Sequence, residues 1–406
     1  MTMRTSFLPL FLAAFLAACD PFDPGIVGFR SRSDSGPHRP GEPAGQDGPD
    51  RPTPPPDGPL FQLDTTVFYS AVRFPDGYDW QRDTAYGSVP FELLLYRDFE
   101  PVLTLPSGPD ACFVPDPDRH HLLSGHLYTE RMADGQTRIG RDGVELYRFP
   151  GREYLVGLLE AGEDLYTLSR PAKGDGFTFR RNGDILFRQP SGTPFGALTD
   201  PSYGPSGALY RDREQVCFCY ASGKGPSQAF YAMRDGQAQQ LEEFPPGTTI
   251  LDLKLVSGQA VALRPEFQGV RLGEGRIWTS GQALEVTGRF SEGAGWYSGH
   301  MKDGGAPERI CPEEAVLYAA AGRASAVSVD AAGNVRWYGP ESGREPLPCH
   351  FLTPACAAFV RGAPWLALTP RDTRHRPFVR TGTRVHEVDV NGYVSCLAVT
   401  VSLRPR

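Results

Sequence analysis

The sequence predicts an all-β fold: a β-propeller of seven four-stranded blades closed by its C-terminal strand, with six or eight blades as the alternatives. Three observations predict it. A short phrase recurs, a polar residue and glycine followed by alternating residues, as in Arg141-Asp142-Gly143-Val144-Glu145-Leu146-Tyr147 and Arg181-Asn182-Gly183-Asp184-Ile185-Leu186-Phe187. Looser copies stand at Arg234-Asp235-Gly236, Ser280-Gly281, Gly333-Asn334 and Thr381-Gly382, with Arg97-Asp98 as an earlier counterpart, so the turn glycines lie 40 to 53 residues apart. Asp-Gly and Asn-Gly between alternating runs signal hairpins, because both turn residues need positive φ. Repetition at this period points to four-stranded units that bury their faces only against their neighbours. Finally, the chain begins mid-unit and ends with an unpaired strand.

The first eighteen residues stand outside the fold. Arg4 gives a basic start, Phe7 to Phe15 an apolar core, and Leu16-Ala17-Ala18-Cys19 closes the segment. Leu-Ala-Ala-Cys resembles the bacterial lipobox, which implies acylation of Cys19 and a cell-envelope location on either membrane leaflet. Two or three acyl chains there would anchor the chain stably, where one would be marginal. No other run reaches the length of a spanning helix. Residues 20 to about 60 are rich in Pro, Gly, Asp and Ser, too poor in apolar groups to offset ordering entropy, and read as a disordered spacer. Its reach is roughly 35 Å.

Residues 61–406 form the body, about 49 residues per unit if divided by seven. In the first unit Thr65 to Phe74, Phe91 to Tyr96 and Val102 to Leu105 read as second, third and outer strands. The next unit supplies His121 to Leu123, His126 to Thr129, Gln136 to Gly140 and Val144 to Phe149. The third supplies Tyr154 to Leu159, Asp164 to Ser169, Gly176 to Arg181 and Asp184 to Arg188. Leu127-Tyr128-Thr129 matches Leu165-Tyr166-Thr167, and Val261 to Leu263, Val316 to Tyr318 and Trp365 to Ala367 fit the same second-strand place later on. The orphan strand Tyr393 to Val401 then supplies the inner strand missing from the first unit, which removes exposed edges.

Ser328-Val329-Asp330-Ala331-Ala332-Gly333-Asn334-Val335-Arg336-Trp337 resembles the Asp…Gly…Trp repeat of quinoprotein-type propellers. The resemblance implies that Trp337 docks one blade on the next; it carries no cofactor with it. The same segment departs from the Asp-box of sialidase-like propellers, its glycine and tryptophan falling one and two residues late.

Chemical motifs are sparse. The formal charge of −7, or −8 once Arg4 is removed, argues against a dedicated nucleic-acid binder. There is no nucleophile elbow, H-E-x-x-H, P-loop or EF-hand loop, so no catalytic residue and no cofactor is assigned. Asp116-Pro117-Asp118-Arg119-His120-His121 could offer oxygen and nitrogen ligands to a divalent metal, but adjacent strand histidines face opposite ways and Arg119 repels a cation. A solvated inter-blade loop is the favoured reading, and no metal site is assigned. Seven cysteines follow Cys19, and Cys349 with Cys356 or Cys311 is the expected disulfide pair, all three lying in loop-like stretches.

The binding expectation is positional. In propellers the outer-to-inner and second-to-third loops share the face around the channel mouth. Pro75 to Pro90 carries Tyr78, Trp80, Arg82 and Tyr86, and Gln189 to Gly207 carries Phe195 and Tyr203. A cation recurs near the end of each second strand: Arg73, Arg131, Arg170, Lys224, Arg264 and Arg371. Tyr78, Trp80, Arg82, Arg131, Arg170, Phe195, Tyr203, Arg264 and Arg371 are therefore the expected ligand-binding residues, suited to an anionic or carbonyl-rich partner. The bland counterpart is that these cations solvate a rim and the aromatics pack down on the blades. The sequence thus reads as a lipid-anchored envelope protein binding protein or glycan, with a propeller hydrolase or lyase as the alternative.

Overall fold

The computed structural model describes residues 61–83, 88–189, 195–197, 208–223, 228–280, 283–320, 323–339, 346–360, 363–372, 374–381 and 384–405. Signal segment, Cys19, spacer, Tyr86, Tyr203, Lys224, Gly281 and Gly382 lie outside the described residues. No described helix is long and apolar enough to cross a membrane.

Secondary structure is almost wholly β, in seven blades. The first comprises β1 (Phe61–Arg73), β2 (Glu92–Arg97) and β3 (Glu100–Pro106), completed by the C-terminal β32 (Gly392–Pro405). The second holds β4 (His120–Leu123), β5 (His126–Ala133), β6 (Gln136–Arg141) and β7 (Val144–Phe149). The third holds β8 (Glu153–Ala161), β9 (Asp164–Pro171), β10 (Thr178–Arg181) and β11 (Asp184–Arg188). In the fourth, β12 (Phe195–Ala197) and β13 (Tyr210–Asp212) both pair with β14 (Gln215–Ser222), followed by β15 (Ala229–Arg234) and β16 (Gln237–Gln240). A two-stranded hairpin, β17 (Asp252–Val256) and β18 (Gln259–Leu263), is then inserted as a sheet of its own.

The fifth blade orders β19 (Glu266–Phe267), β20 (Val270–Ser280), β21 (Ala283–Glu292), β22 (Gly295–Lys302) and β23 (Glu308–Cys311). The sixth is β24 (Val316–Ala320), β25 (Arg323–Val329) and β26 (Val335–Tyr338). In the seventh, β27 (Cys349–His350) and β28 (Ala357–Val360) share β29 (Ala363–Pro370), followed by β30 (Phe378–Thr381) and β31 (Arg384–Glu387). Seven blades and C-terminal closure agree with the sequence. The uniform four strands do not: described blades have three to five.

The recurrent turn has a mechanical role. Asp98, Asp142, Asn182, Asp235 and Asp303 all sit at positive φ, between 44° and 52°. Each folds its side-chain oxygen back onto the strand that precedes its hairpin, accepting from Val67 N at 2.9 Å, Leu127 N at 2.9 Å, Leu165 N at 2.8 Å, Val216 N at 3.0 Å and Leu284 N at 3.3 Å. The backbone N–H of the same residue donates to the carbonyl of that same strand residue. Asp and Asn tolerate left-handed backbone and bond locally, which is why these residues recur there.

This clasp corrects the repeat register. The fifth-blade counterpart of Asp142-Gly143 is Asp303-Gly304 between β22 and β23, whereas Ser280 ends β20 at the turn into β21. Gly333 lies between β25 and β26, the second-to-third turn of its blade. Val316 to Tyr318 belong to β24, an edge strand of their sheet rather than its second.

Blades dock through apolar faces. Trp337 packs against Tyr318 of its own blade and Phe359 of the next, ring centres 6.3 and 6.4 Å away. The seven described cysteines are all free and buried, which corrects the expected disulfide. Cys349, Cys356 and Cys311 fill three separate core clusters, and burial pushes the Cys349 and Cys356 thiols up to about 11. They serve as small apolar fillers.

The clasp is the cheapest part of this fold to test. Asp142→Ala should lower unfolding free energy by about 1–2 kcal/mol, the cost of one lost hydrogen bond and an unpaired N–H. Asp142→Asn should retain most of it. Urea denaturation of both variants measures the difference.

Candidate functional site

Side chains show which loops share a face. Gln81 of the β1–β2 loop donates to Pro370 O at the end of β29, at 2.9 Å. Asn391, before β32, donates to Pro75 O and Tyr78 O at 2.6 and 3.1 Å. Arg131 near the end of β5 donates to Gly108 O at 3.0 Å and to Ala111 O, both in the β3–β4 loop. Arg371 donates to Ala332 O and Gly333 O in the β25–β26 loop. Second-to-third and outer-to-inner loops thus meet on one side, opposite the Asp clasps.

The expected ligand-binding residues divide by role. Tyr78 and Trp80 are half-buried, with rings 5.3 Å from Phe74 and 5.1 Å from Tyr393. They pack down and hold the loop. Arg82 is 88% exposed and ion-pairs with Asp79 at 3.3 Å. Arg264 lies over Phe244 at 5.8 Å, and Arg73 pairs with Glu92. Phe195 is in β12, paired with Ser222, and Tyr203 lies outside the described residues. The recurring cations therefore brace the loops by gripping carbonyls, carboxylates and rings.

Arg119 and Arg170 converge on Tyr154 at the start of β8, their guanidinium carbons 4.7 and 5.8 Å from its ring centre. Both contacts are cation–π. Arg119 also donates to Glu130 Oε1 at 2.7 Å, and Asp116 lies 3.6 Å away. The second oxygen of Glu130 accepts from Leu155 N of the next blade at 3.1 Å. Leu155 immediately precedes a bulge in β8, and at the matching place before the β32 bulge Val394 N donates to Thr369 Oγ1 at 3.3 Å. Each bulge withdraws a backbone N–H from regular pairing, and a side chain of the preceding blade takes it up.

Glu130 has only 1% of its side chain exposed, and that burial pushes its carboxyl up to about 7 against the pull of Arg119. An acid near 7 is the kind general acid–base chemistry uses. Here both oxygens are engaged and sealed between blades, so it acts as a tie. A second buried tie joins Glu153 to Arg180 at 2.8 and 2.9 Å, with Ser169 Oγ 2.6 Å from Arg180 and the guanidinium carbon 3.9 Å from the Phe149 ring centre. A third joins Glu285 to His300 at 2.9 Å.

His120 is buried with Nε2 2.7 Å from Val114 O, and His121 is buried beside Arg119. Burial lowers their pKa values to about 4 and about 3. Among the described residues no group of three or more His, Cys, Asp or Glu could hold a metal ion. Sequence reading missed Gln81, Asn391, Glu130 and Tyr154. Only Glu130 left a signal: an acid amid the otherwise buried run of β5.

Arg180→Ala strands the buried Glu153 carboxylate and should cost about 3–5 kcal/mol in urea denaturation. The imidazoles make stability acid-sensitive: their contribution is full above pH 6.5 and is lost as pH falls through about 4 and then about 3. For His120 this is on the order of 3 kcal/mol. Glu130 opposes it, favouring the fold below 4.5 and ceasing to do so as pH rises through about 7. His120→Gln should flatten the loss of denaturation midpoint between pH 6.5 and 4.

No protein-family model and no curated protein matches the sequence. Among solved structures the chain is similar to BBS1N in complex with ARL6DN, in a crystal soaked with mercury. Identity there is 14% and the TM-score 0.36, over 74% of this chain and 95% of that one. A crystal of the complex soaked with lead gives 15% and 0.32, over 70% and 85%. Likeness of this degree carries no statement about function, and the propeller assignment stands on the strand ladders above.

Proposed function

We propose that the protein is a lipid-anchored lipoprotein of the bacterial cell envelope, acting as a binding or scaffold module for a protein or glycan through its loop-bearing face. Acyl chains on Cys19 hold it to the membrane, and residues 20–60 serve as the spacer. One observation carries the orientation. β1 runs from the clasp side, where the spacer joins at Phe61, up to the Pro75–Pro90 loop. A tether entering at that end turns the long loops away from the lipid surface.

The same face suits recognition because it is already braced. Loops fixed by Gln81, Asn391, Arg131 and Arg371 lose little conformational entropy when a partner arrives. Arg82 and Arg170 remain exposed on it, one from the first blade and one from the third.

Metabolic labelling with palmitate tests the anchor: Cys19→Ala should abolish both label and membrane association. Capture of envelope glycans and proteins by the full chain tests the face. Arg82→Glu together with Arg170→Glu should weaken specific capture tenfold or more while the far-UV circular dichroism stays that of the folded chain. Unchanged capture puts the interface elsewhere.

A further inference from the structure

The ladder that closes the ring is longer than the blade it completes. β32 pairs with β1 along its whole length, from Phe61 opposite Pro405 to Arg73 opposite Gly392. β2 pairs with β1 only from Phe68 to Arg73. Beyond Val67 the pair continues as a two-stranded ribbon, residues 61–66 against 400–405, with no third strand among the described residues. At roughly 3.4 Å per residue it extends about 20 Å past the blade on the clasp side. Two strands with no further cover are marginal in water.

The free edge has a definite polarity. Val67 directs both its N–H and its C=O at the Asp98 turn, on the β2 side. Backbone groups alternate sides along a strand, so those of Leu63 and Thr65 point the same way, past the end of β2. Leu63 is 49% exposed.

We infer that this edge pairs with the same edge of a second copy, giving a two-fold dimer in which two ribbons merge into a four-stranded sheet. An antiparallel edge is self-complementary under two-fold symmetry, so the contact closes at two copies. Alternation permits two central registers. One sets Asp64 opposite Asp64 of the second copy, which like-charge repulsion disfavours. The other centres on Leu63 opposite Leu63 of the second copy, with Gln62 facing Asp64 of the second copy. The latter pairs an exposed apolar side chain with its twin and leaves no facing carboxylates.

The inference does not depend on the lipid anchor or on the loop-bearing face, which lies at the other end of β1. The full chain carrying Cys19→Ser, free of any lipid contribution, should dimerise reversibly in sedimentation equilibrium. Thr65→Pro removes one outward N–H, a change that an edge strand tolerates, and should raise the dissociation constant at least tenfold with unchanged circular dichroism. In the same background, Leu63→Cys should form an intermolecular disulfide on mild oxidation, because directly opposed residues of a hydrogen-bonded pair sit about 5.5 Å apart. Asp64→Cys should cross-link far less. A chain monomeric at every concentration, a dimer indifferent to Thr65→Pro, or preferential cross-linking at position 64 would overturn the inference, and the disulfide readout decides the matter even where the proline variant folds poorly.

Discussion

The pairing of β1 with β32 holds the rest of the molecule in place. Blades of a propeller bury their faces only on one another, so an open ring would leave two apolar faces and a sheet edge in water. Closure here unites residues more than three hundred positions apart, as in the Ser70 and Ser395 hydroxyls 2.7 Å from each other. The ladder is antiparallel and has a single bulge, at Ser395. Around it Val67, Tyr69, Ala71, Val394, Leu397 and Val399 join one cluster with residues of the seventh blade, while Val72, Tyr393 and Cys396 join another with residues of the second. One strand pair thus serves two blade interfaces. Contacts this distant in sequence form late and slowly.

Polar side chains do much of the joining between blades. Glu130, Thr369, Thr137 and Asn391 each reach a backbone group on another blade or loop. Where an acid is drawn inside, it is matched: Glu130 by Arg119 and a backbone N–H, Glu153 by Arg180 and Ser169, Glu285 by His300. Isolated charges at such positions would be prohibitively costly; the Glu130 network spans two blades and fixes how the third sits on the second, whereas the Glu153 and Glu285 pairs brace strands within one blade. The same logic explains Arg131 and Arg371 of the loop-bearing face, which give their donors to loop carbonyls and hold the outline of that surface.

The two ends of the propeller differ in construction. On the clasp side five tight turns fold an Asp or Asn onto their own blades, and the β1–β32 ribbon leaves from there. The other side carries long connections that need tertiary bonds to stay in place. Gln81, Asn391, Arg131 and Arg371 supply such bonds, and short strands such as β12 and β27 pin two of the connections to a neighbouring sheet edge.

Much of the architecture was legible from local chemistry. Asp142-Gly143 and Asn182-Gly183 announce their turns because only a few residues tolerate left-handed backbone, and the alternation around them fixes strand and face. The strands of the first three blades, the seven-blade count and the C-terminal closure all follow from such signals. Tertiary structure alone decided the rest. Ser280-Gly281 and Asp303-Gly304 look alike as turn sequences, and only the place of Ser280 at the end of β20 and the clasp of Asp303 on Leu284 tell them apart. Trp80 and Arg371 look like ligand-facing residues until Tyr393 and the Ala332 carbonyl are seen beside them. Cys349, Cys356 and Cys311 could pair on spacing, but burial in three separate clusters keeps them thiols. Local sequence dictates backbone preference and which face is apolar; which distant group a side chain meets depends on how the ring brings blades together, and no local pattern encodes that.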